Sequence, residues 1–142
     1  MKEMNIPVGV SDFEKIRNGG FYYIDKSGLI MQILKEKAEV TLIARPRRFG
    51  KTLGISMLES FFDIRKNSRK MFEGLEIAEH QALCKEWMNQ YPTVSISFRQ
   101  IDGLNFMDAY RQLIYEIALL YQNHAYLLDS QAISKQEKFL FQ

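Results

Sequence analysis

The chain has 142 residues, 46% of them hydrophobic and 25% charged, which are the values of one ordinary globular domain or part of one and exclude a disordered chain. A net charge of +2 excludes a global basic field for nucleic acid, so any such affinity has to come from local patches. No stretch reaches the apolar length of a membrane span and residues 1–5 lack a signal-peptide core, so a cytoplasmic location is expected. A single cysteine, Cys84, has no disulfide partner and no neighbour at metal-ligand spacing, and reads as a small core residue in a reduced compartment.

In chain order, Ser11-Asp12-Phe13-Glu14 has the form of a capping box and starts a short helix that Gly19-Gly20 stops. A helix is expected near residues 27–37, then a strand over 39–44 on the β-prone run Val40-Thr41-Leu42-Ile43-Ala44. After a polar loop, Leu53, Met57, Leu58, Phe61 and Phe62 fall at helical spacing and predict a helix over 52–63. Residues 64–70 form a charged connector, 72–75 a turn, and 78–89 a helix with Leu83, Trp87 and Met88 on one face. Pro92 closes that helix and opens a second expected strand, 93–98. A long helix over about 105–122 follows, with Phe106, Tyr110, Leu113, Ile117 and Leu120 stepping by four and three, a face that has to pack on something. No internal repeat or low-complexity tract is visible.

The alternation of strands and helices predicts an α/β fold, a P-loop NTPase-like parallel sheet flanked by helices, with right-handed crossovers. Two strands are too few for such a sheet, which is normally covered on both faces, so the sheet is expected to be incomplete in this chain. The apolar run Phe139-Leu140-Phe141 points the same way.

The chemistry concentrates at Arg45-Pro46-Arg47-Arg48-Phe49-Gly50-Lys51-Thr52, directly after the first expected strand. Gly50-Lys51-Thr52 is what a nucleoside triphosphate requires. A residue without a side chain lets backbone N–H groups approach the phosphates, a Lys reaches the β and γ oxygens, and a Thr hydroxyl ligates Mg²⁺. The general pattern G-x-x-x-x-G-K-[ST] has Gly where this chain has Arg45. Arg45, Arg47, Arg48 and Lys51 are four cations in eight residues that hold no acid. Cations beside the positive end of a helix dipole are unfavourable unless an anion is received there. A solvated basic turn is the plainer alternative.

The same stretch, with Ser56-Met57-Leu58 and Phe61-Phe62-Asp63 after it, resembles the bacterial AAA-ATPase-like proteins, in which a predicted P-loop ATPase domain is commonly followed by a PD-(D/E)xK nuclease-like domain. The likeness extends upstream through residues 8–17 and Tyr22-Tyr23-Ile24-Asp25-Lys26-Ser27, and downstream through Phe72-Glu73-Gly74-Leu75, residues 91–98 and residues 121–128. Arg45 in place of Gly is that family's own form of the loop. The resemblance implies ATP and Mg²⁺ as ligands, Thr52 as the metal-side hydroxyl, and a nuclease-like domain as the attached effector. It also implies that the acidic Walker B strand lies beyond this chain, making residues 1–142 the N-terminal part of a larger ATPase: a helical segment over 1–38 and a P-loop core over 39–142.

No residue reads as the catalytic acid or as the group that orients water. Asp25 and Lys26 could approach the nucleotide or orient the loop, or equally be a helix-start Asp and a surface Lys. Asp102 and Arg99 follow the second expected strand, although Ile101-Asp102-Gly103 is first a turn signal. His80 and His124 have no ligand partners in sequence, and the aromatics suit core packing better than base stacking. Two functions stand against each other: ATP binding by a variant Walker A loop within a larger ATPase that controls an effector, and a non-catalytic module that binds anions or nucleic-acid phosphates through Arg45, Arg47 and Arg48.

Overall fold

The structure is a computed structural model that describes residues 5–44, 46 and 49–141, the side chains of Gln100, Leu140 and Phe141 excepted. The chain divides into two compact units, Met1–Thr93 and Val94–Gln142.

In the first unit, α1 (Phe13–Asn18), α2 (Gly28–Glu36), α3 (Lys51–Phe62), α4 (Arg69–Phe72), α5 (Glu76–Glu79) and α6 (Gln81–Trp87) surround one core. The cap of α1 is Asp12 and not Ser11: its carboxylate accepts the Lys15 N–H at 3.1 Å. On α3, Met57 and Phe61 are one turn apart and fully buried, with Leu53 packed against the same core one turn earlier. Phe72 closes on Phe61 and Phe13, with ring centroids 5.3 and 4.9 Å away. Each such buried ring contributes roughly 1.5–3 kcal/mol over leaving it in water. The Phe13 N–H donates to Ser56 Oγ at 3.0 Å and docks the start of α1 on the middle of α3. Arg17 donates from Nε to the Met71 carbonyl at 2.6 Å and from Nη2 to the Glu73 carbonyl at 2.8 Å, tying α1 to the end of α4.

The end of α3 is closed by a distant segment. Asn89 occupies the left-handed region at φ 57° and donates from Nδ2 to the Ser60 and Asp63 carbonyls at 3.1 and 2.9 Å. Its backbone N–H reaches the Phe61 carbonyl at 2.7 Å, and its Oδ1 accepts the Ser68 N–H at 3.0 Å. One asparagine thus satisfies carbonyls that every helix end leaves without partners. The Tyr91 N–H and carbonyl then bond Phe62 and Ile64, an isolated parallel bridge at Asp63 and Tyr91.

That bridge is as near to a sheet as the described residues come, and the expected α/β sheet is corrected accordingly: the architecture is helical. The 39–44 run has no ladder, with Val40 86% and Leu42 89% exposed. Residues 93–97 likewise form no strand and run into a 3₁₀ turn at Phe98–Gln100. β-branched residues favour an extended backbone, but a strand exists only where a second segment takes up its N–H and C=O groups, and neither run meets one among the described residues. The helix expected over 78–89 is also revised. It breaks at His80 into α5 and α6, and residues 69–72, expected as connector and turn, are α4.

The second unit holds α7 (Phe106–Asn123), a 3₁₀ turn at Ala125–Asp129 and α8 (Lys135–Phe141). Asn105 caps α7 by accepting the Asp108 N–H at 3.0 Å, and its Nδ2 returns a bond to Asp108 Oδ2 at 2.8 Å. The apolar face expected to be packed is largely open: Phe106 is 78% and Tyr110 47% exposed, and no described residue of α7 is buried. Among the described residues no helix is long and apolar enough to cross a membrane.

Candidate functional site

Helix α3 begins at Lys51, as the sequence pattern requires within a residue. Gly50 stands at its N-cap with φ 76° and ψ 26°, the left-handed conformation that glycine adopts without steric cost. Glycine has no side chain with which to cap the helix, and the first turn of α3 holds no acid. Just before it, the Phe49 N–H reaches the Pro46 carbonyl at 3.4 Å. Phe49, Lys51 and Thr52 are exposed. Three of the eight predicted loop residues, Arg45, Arg47 and Arg48, lie outside the described residues.

The start of α2 runs beside the start of α3. Gly50 and Gly54 are one helical turn apart, and a Cβ on Gly54 would meet Leu29 Cδ2 at 3.9 Å while one on Gly50 would meet Lys26 Nζ at 3.2 Å. The ammonium of Lys26 is therefore held against the glycine that opens α3. Sequence reasoning raised Lys26 with no means of choosing between ligand and surface roles; the structure brings it to the loop.

Asp25 is not a helix-start residue of α2. Its Oδ1 accepts the Ser27 N–H at 2.8 Å, and its Oδ2 accepts the Glu76 N–H at 2.7 Å, the first amide of α5. The Ser27 hydroxyl accepts the next one, Ile77 N–H, at 3.1 Å. Partial burial works to raise the Asp25 pKa, but the amides of Glu76 and Ser27, the Ser27 hydroxyl and the Arg17 charge outweigh it and leave the carboxyl below its ordinary value. Asp25 is thus an ionised clamp that fixes the turn carrying Lys26. The Asp-x-Ser pattern before a helix was the available signal, but its partners lie some fifty residues away.

The other candidates do not join this place. Asp102 and Arg99 are exposed residues of the second unit, and the Asp102 N–H donates to Gln112 Oε1 at 2.9 Å. His80 is exposed at the junction of α5 and α6, whereas His124 is buried with Nδ1 against the Leu120 carbonyl at 2.8 Å. Cys84 is half-buried and donates to the Ile77 carbonyl at 3.2 Å; burial pushes its thiol pKa up, away from nucleophilic use. A cleft of about 790 Å³ in the first unit, lined by Lys66, Arg69, Phe72, Cys84, Lys85 and Met88 among others, contains none of the described loop residues.

Residues 7–140 match the family model described as AAA-ATPase_like, predicted AAA-ATPase. The chain belongs to this family. A relative from Azotobacter chroococcum mcd 1, described as an uncharacterized protein in the vnfD 5' region, is 33% identical over 99 residues. That alignment covers 69% of this chain but 18% of the relative, so the chain spans a small part of the relative's length. No solved structure matches. Family membership is consistent with ATP binding and carries ATP and Mg²⁺ as the ligands such a protein would use.

Proposed function

We propose that this AAA-ATPase-like chain binds Mg·ATP at the start of α3, through Gly50, Lys51 and Thr52 together with the preceding segment Arg45-Pro46-Arg47-Arg48-Phe49. The observation that carries the reading is the left-handed Gly50, which has no side chain of its own to cap with, opening a twelve-residue helix whose first two residues are Lys51 and Thr52. Such a helix end presents N–H groups and the positive end of a dipole, and it suits a polyanion. The reading rests on this turn from loop to helix and calls on no sheet. The donor set fits the ligand: Lys51 neutralises β- and γ-phosphate charge, the loop amides cradle the phosphates, and the Thr52 hydroxyl is the group able to hold Mg²⁺. When bound, Mg²⁺ would spread the charge of the terminal phosphates. In a longer chain, such a module would couple nucleotide binding to an attached effector, of which a nuclease-like domain is the kind the resemblance implies.

Titration calorimetry of the 142-residue chain with ATP, with and without Mg²⁺, tests this. Mg²⁺ is expected to strengthen ATP binding, Thr52→Ala to remove that gain, and Lys51→Ala to abolish detectable binding with the helical circular dichroism intact. Normal ATP affinity in Lys51→Ala would sink the assignment. An affinity indifferent to Mg²⁺ that falls with ionic strength, and is shared by sulfate and short DNA, would establish the phosphate-binding module without a shaped nucleotide site instead.

A further inference from the structure

We propose that the cleft bordered by α4 and α6 in the first unit is a docking site for an acidic peptide segment of a partner protein, one that alternates carboxylate and apolar side chains. The site stands on residues separate from those of the nucleotide loop and is independent of the nucleotide reading.

The cleft has a volume of about 790 Å³, that of a site for a ligand with several side-chain groups and far more than an inorganic anion fills. Lys66, Arg69 and Lys85 line it against a single carboxylate, Glu73. Lys66 is engaged in part, its Nζ standing 3.8 Å from Glu14 Oε2 and 3.4 Å from Ser60 Oγ. Arg69 and Lys85 are exposed, and neither forms an ion pair among the described residues, with Glu73 or any other acid. The Arg69 charge acts on the Cys84 thiol in the cleft wall, where it opposes the upward push of burial. Exposed cations on a convex surface are ordinary solvated groups. These line a concavity whose charge complement is an acidic ligand.

Part of the lining is apolar: Phe72, Cys84 and Met88. Met88 is half-buried against the core, and its unbranched thioether adapts to apolar side chains of different shape. The walls are fixed before any ligand arrives. Asn89 ties its own segment to the Ser60 and Asp63 carbonyls, and Arg17 holds the Met71 and Glu73 carbonyls on either side of Phe72, so little ordering is left to oppose binding. Asn67 and Gln81 are exposed lining residues whose amides match the N–H and C=O groups of an extended peptide. A nucleic-acid strand calls instead for open aromatic faces. Among the described residues the cleft offers none. Phe72 is fully buried, with its ring against Phe13 and Phe61, while Trp87 stacks on Tyr91 at 5.0 Å and neither lines the cleft.

The test is fluorescence anisotropy with a set of short labelled peptides that alternate Asp or Glu with Leu, Val or Phe, their Asn and Gln counterparts, their Lys counterparts, and a single-stranded oligothymidylate. The acidic peptides are expected to bind, and the amide counterparts to bind roughly 10- to 100-fold more weakly. The double variant Arg69→Gln with Lys85→Gln should weaken the acidic peptides by a similar factor and melt as the unsubstituted chain does. Reversal of charge, Arg69→Glu with Lys85→Glu, should transfer the preference to the Lys peptides. Cys84 is the single cysteine, so its alkylation by iodoacetamide reads the cleft directly, and saturating acidic peptide should slow it. Lys51→Ala should bind the acidic peptides as the unsubstituted chain does, so that loss of the nucleotide site leaves this one standing. Failure of every acidic peptide to bind overturns the proposal, as does equal binding of the amide counterparts or an alkylation rate indifferent to bound peptide. Oligothymidylate that binds more tightly than any acidic peptide, and is lost with Arg69 and Lys85, overturns the peptide in favour of nucleic acid. Should the double variant melt early, Lys85→Gln alone decides, and acidic-peptide affinity equal to that of the unsubstituted chain overturns the proposal.

Discussion

Helices α3 and α7 are both amphipathic in sequence, yet they lead different lives. Helix α3 sinks Met57 and Phe61 completely into the core of its unit, while α7 keeps Phe106 78% and Tyr110 47% exposed and buries none of its described residues. The difference does not come from helix-forming tendency, since α7 is the longer and is capped by the Asn105 side chain, whereas α3 starts at a glycine that has none. It comes from what surrounds each one. Helix α3 is enclosed by segments tied to it through specific bonds: Phe13 to Ser56, Asn89 to the α3 carbonyls, Tyr23 Oη to Met57 Sδ at 3.3 Å. An apolar stripe states that a helix can be buried, and only partners bury it.

The contrast between the two helices breaks most visibly under truncation of the α3 core. Phe61→Ala is expected to cost about 3–5 kcal/mol in chemical denaturation of the whole chain, through lost burial and the cavity left among Phe13, Phe62 and Phe72. A loss below about 1 kcal/mol would mean that α3 is no better packed than α7. Asn89→Ala comes next, at roughly 1–3 kcal/mol, because it strands the Ser60 and Asp63 carbonyls and the Ser68 amide and places alanine at a positive φ. Faster hydrogen exchange confined to the last turn of α3 would locate the effect.

Acid sharpens the same contrast. Asp63, 3% exposed, is pressed upward in pKa by burial, but the Arg65 side chain at 2.5 Å and the Arg65 N–H at 2.9 Å outweigh this and hold it below its ordinary value. A carboxyl with a depressed folded pKa contributes stability in full above its unfolded pKa of about 3.9, and that contribution is lost as pH falls through the folded value. Urea midpoints should therefore fall on acidification below about pH 4, and Asp63→Asn should flatten that acid limb while lowering stability at neutral pH. An unaltered acid limb would remove Asp63 from the account. Smallest is Phe106→Ala on α7, expected within about 0.5 kcal/mol of zero. A cost above about 2 kcal/mol would show that the α7 face is covered in solution, and the contrast would vanish.

Much of the helical skeleton was legible in the chain by itself. The apolar spacing of Leu53, Met57 and Phe61 marked α3 within a residue at each end, and the residues flanking α2 and α7 were equally readable, whereas the left-handed backbone of Gly50 came only with the structure. These features depend on neighbours three or four positions away, and the local sequence contains them. The family likeness was likewise present in the order of residues, and the match over residues 7–140 agrees with it.

The sheet was misjudged for the opposite reason. Val40-Thr41-Leu42-Ile43 and Val94-Ser95-Ile96 have strand chemistry, but a ladder is made by a second segment, and no local pattern says whether one is there. The break at His80 and the closure of α3 by Asn89 were hidden in the same way. Most telling is Lys26. Its neighbours in sequence left it undecided between ligand and surface, and what brings it to Gly50 is a turn clamped by amides at positions 76 and 77. Local periodicity determined which segments coil. Long-range hydrogen bonds, formed only once the core closed, decided which cation stands at the end of which helix.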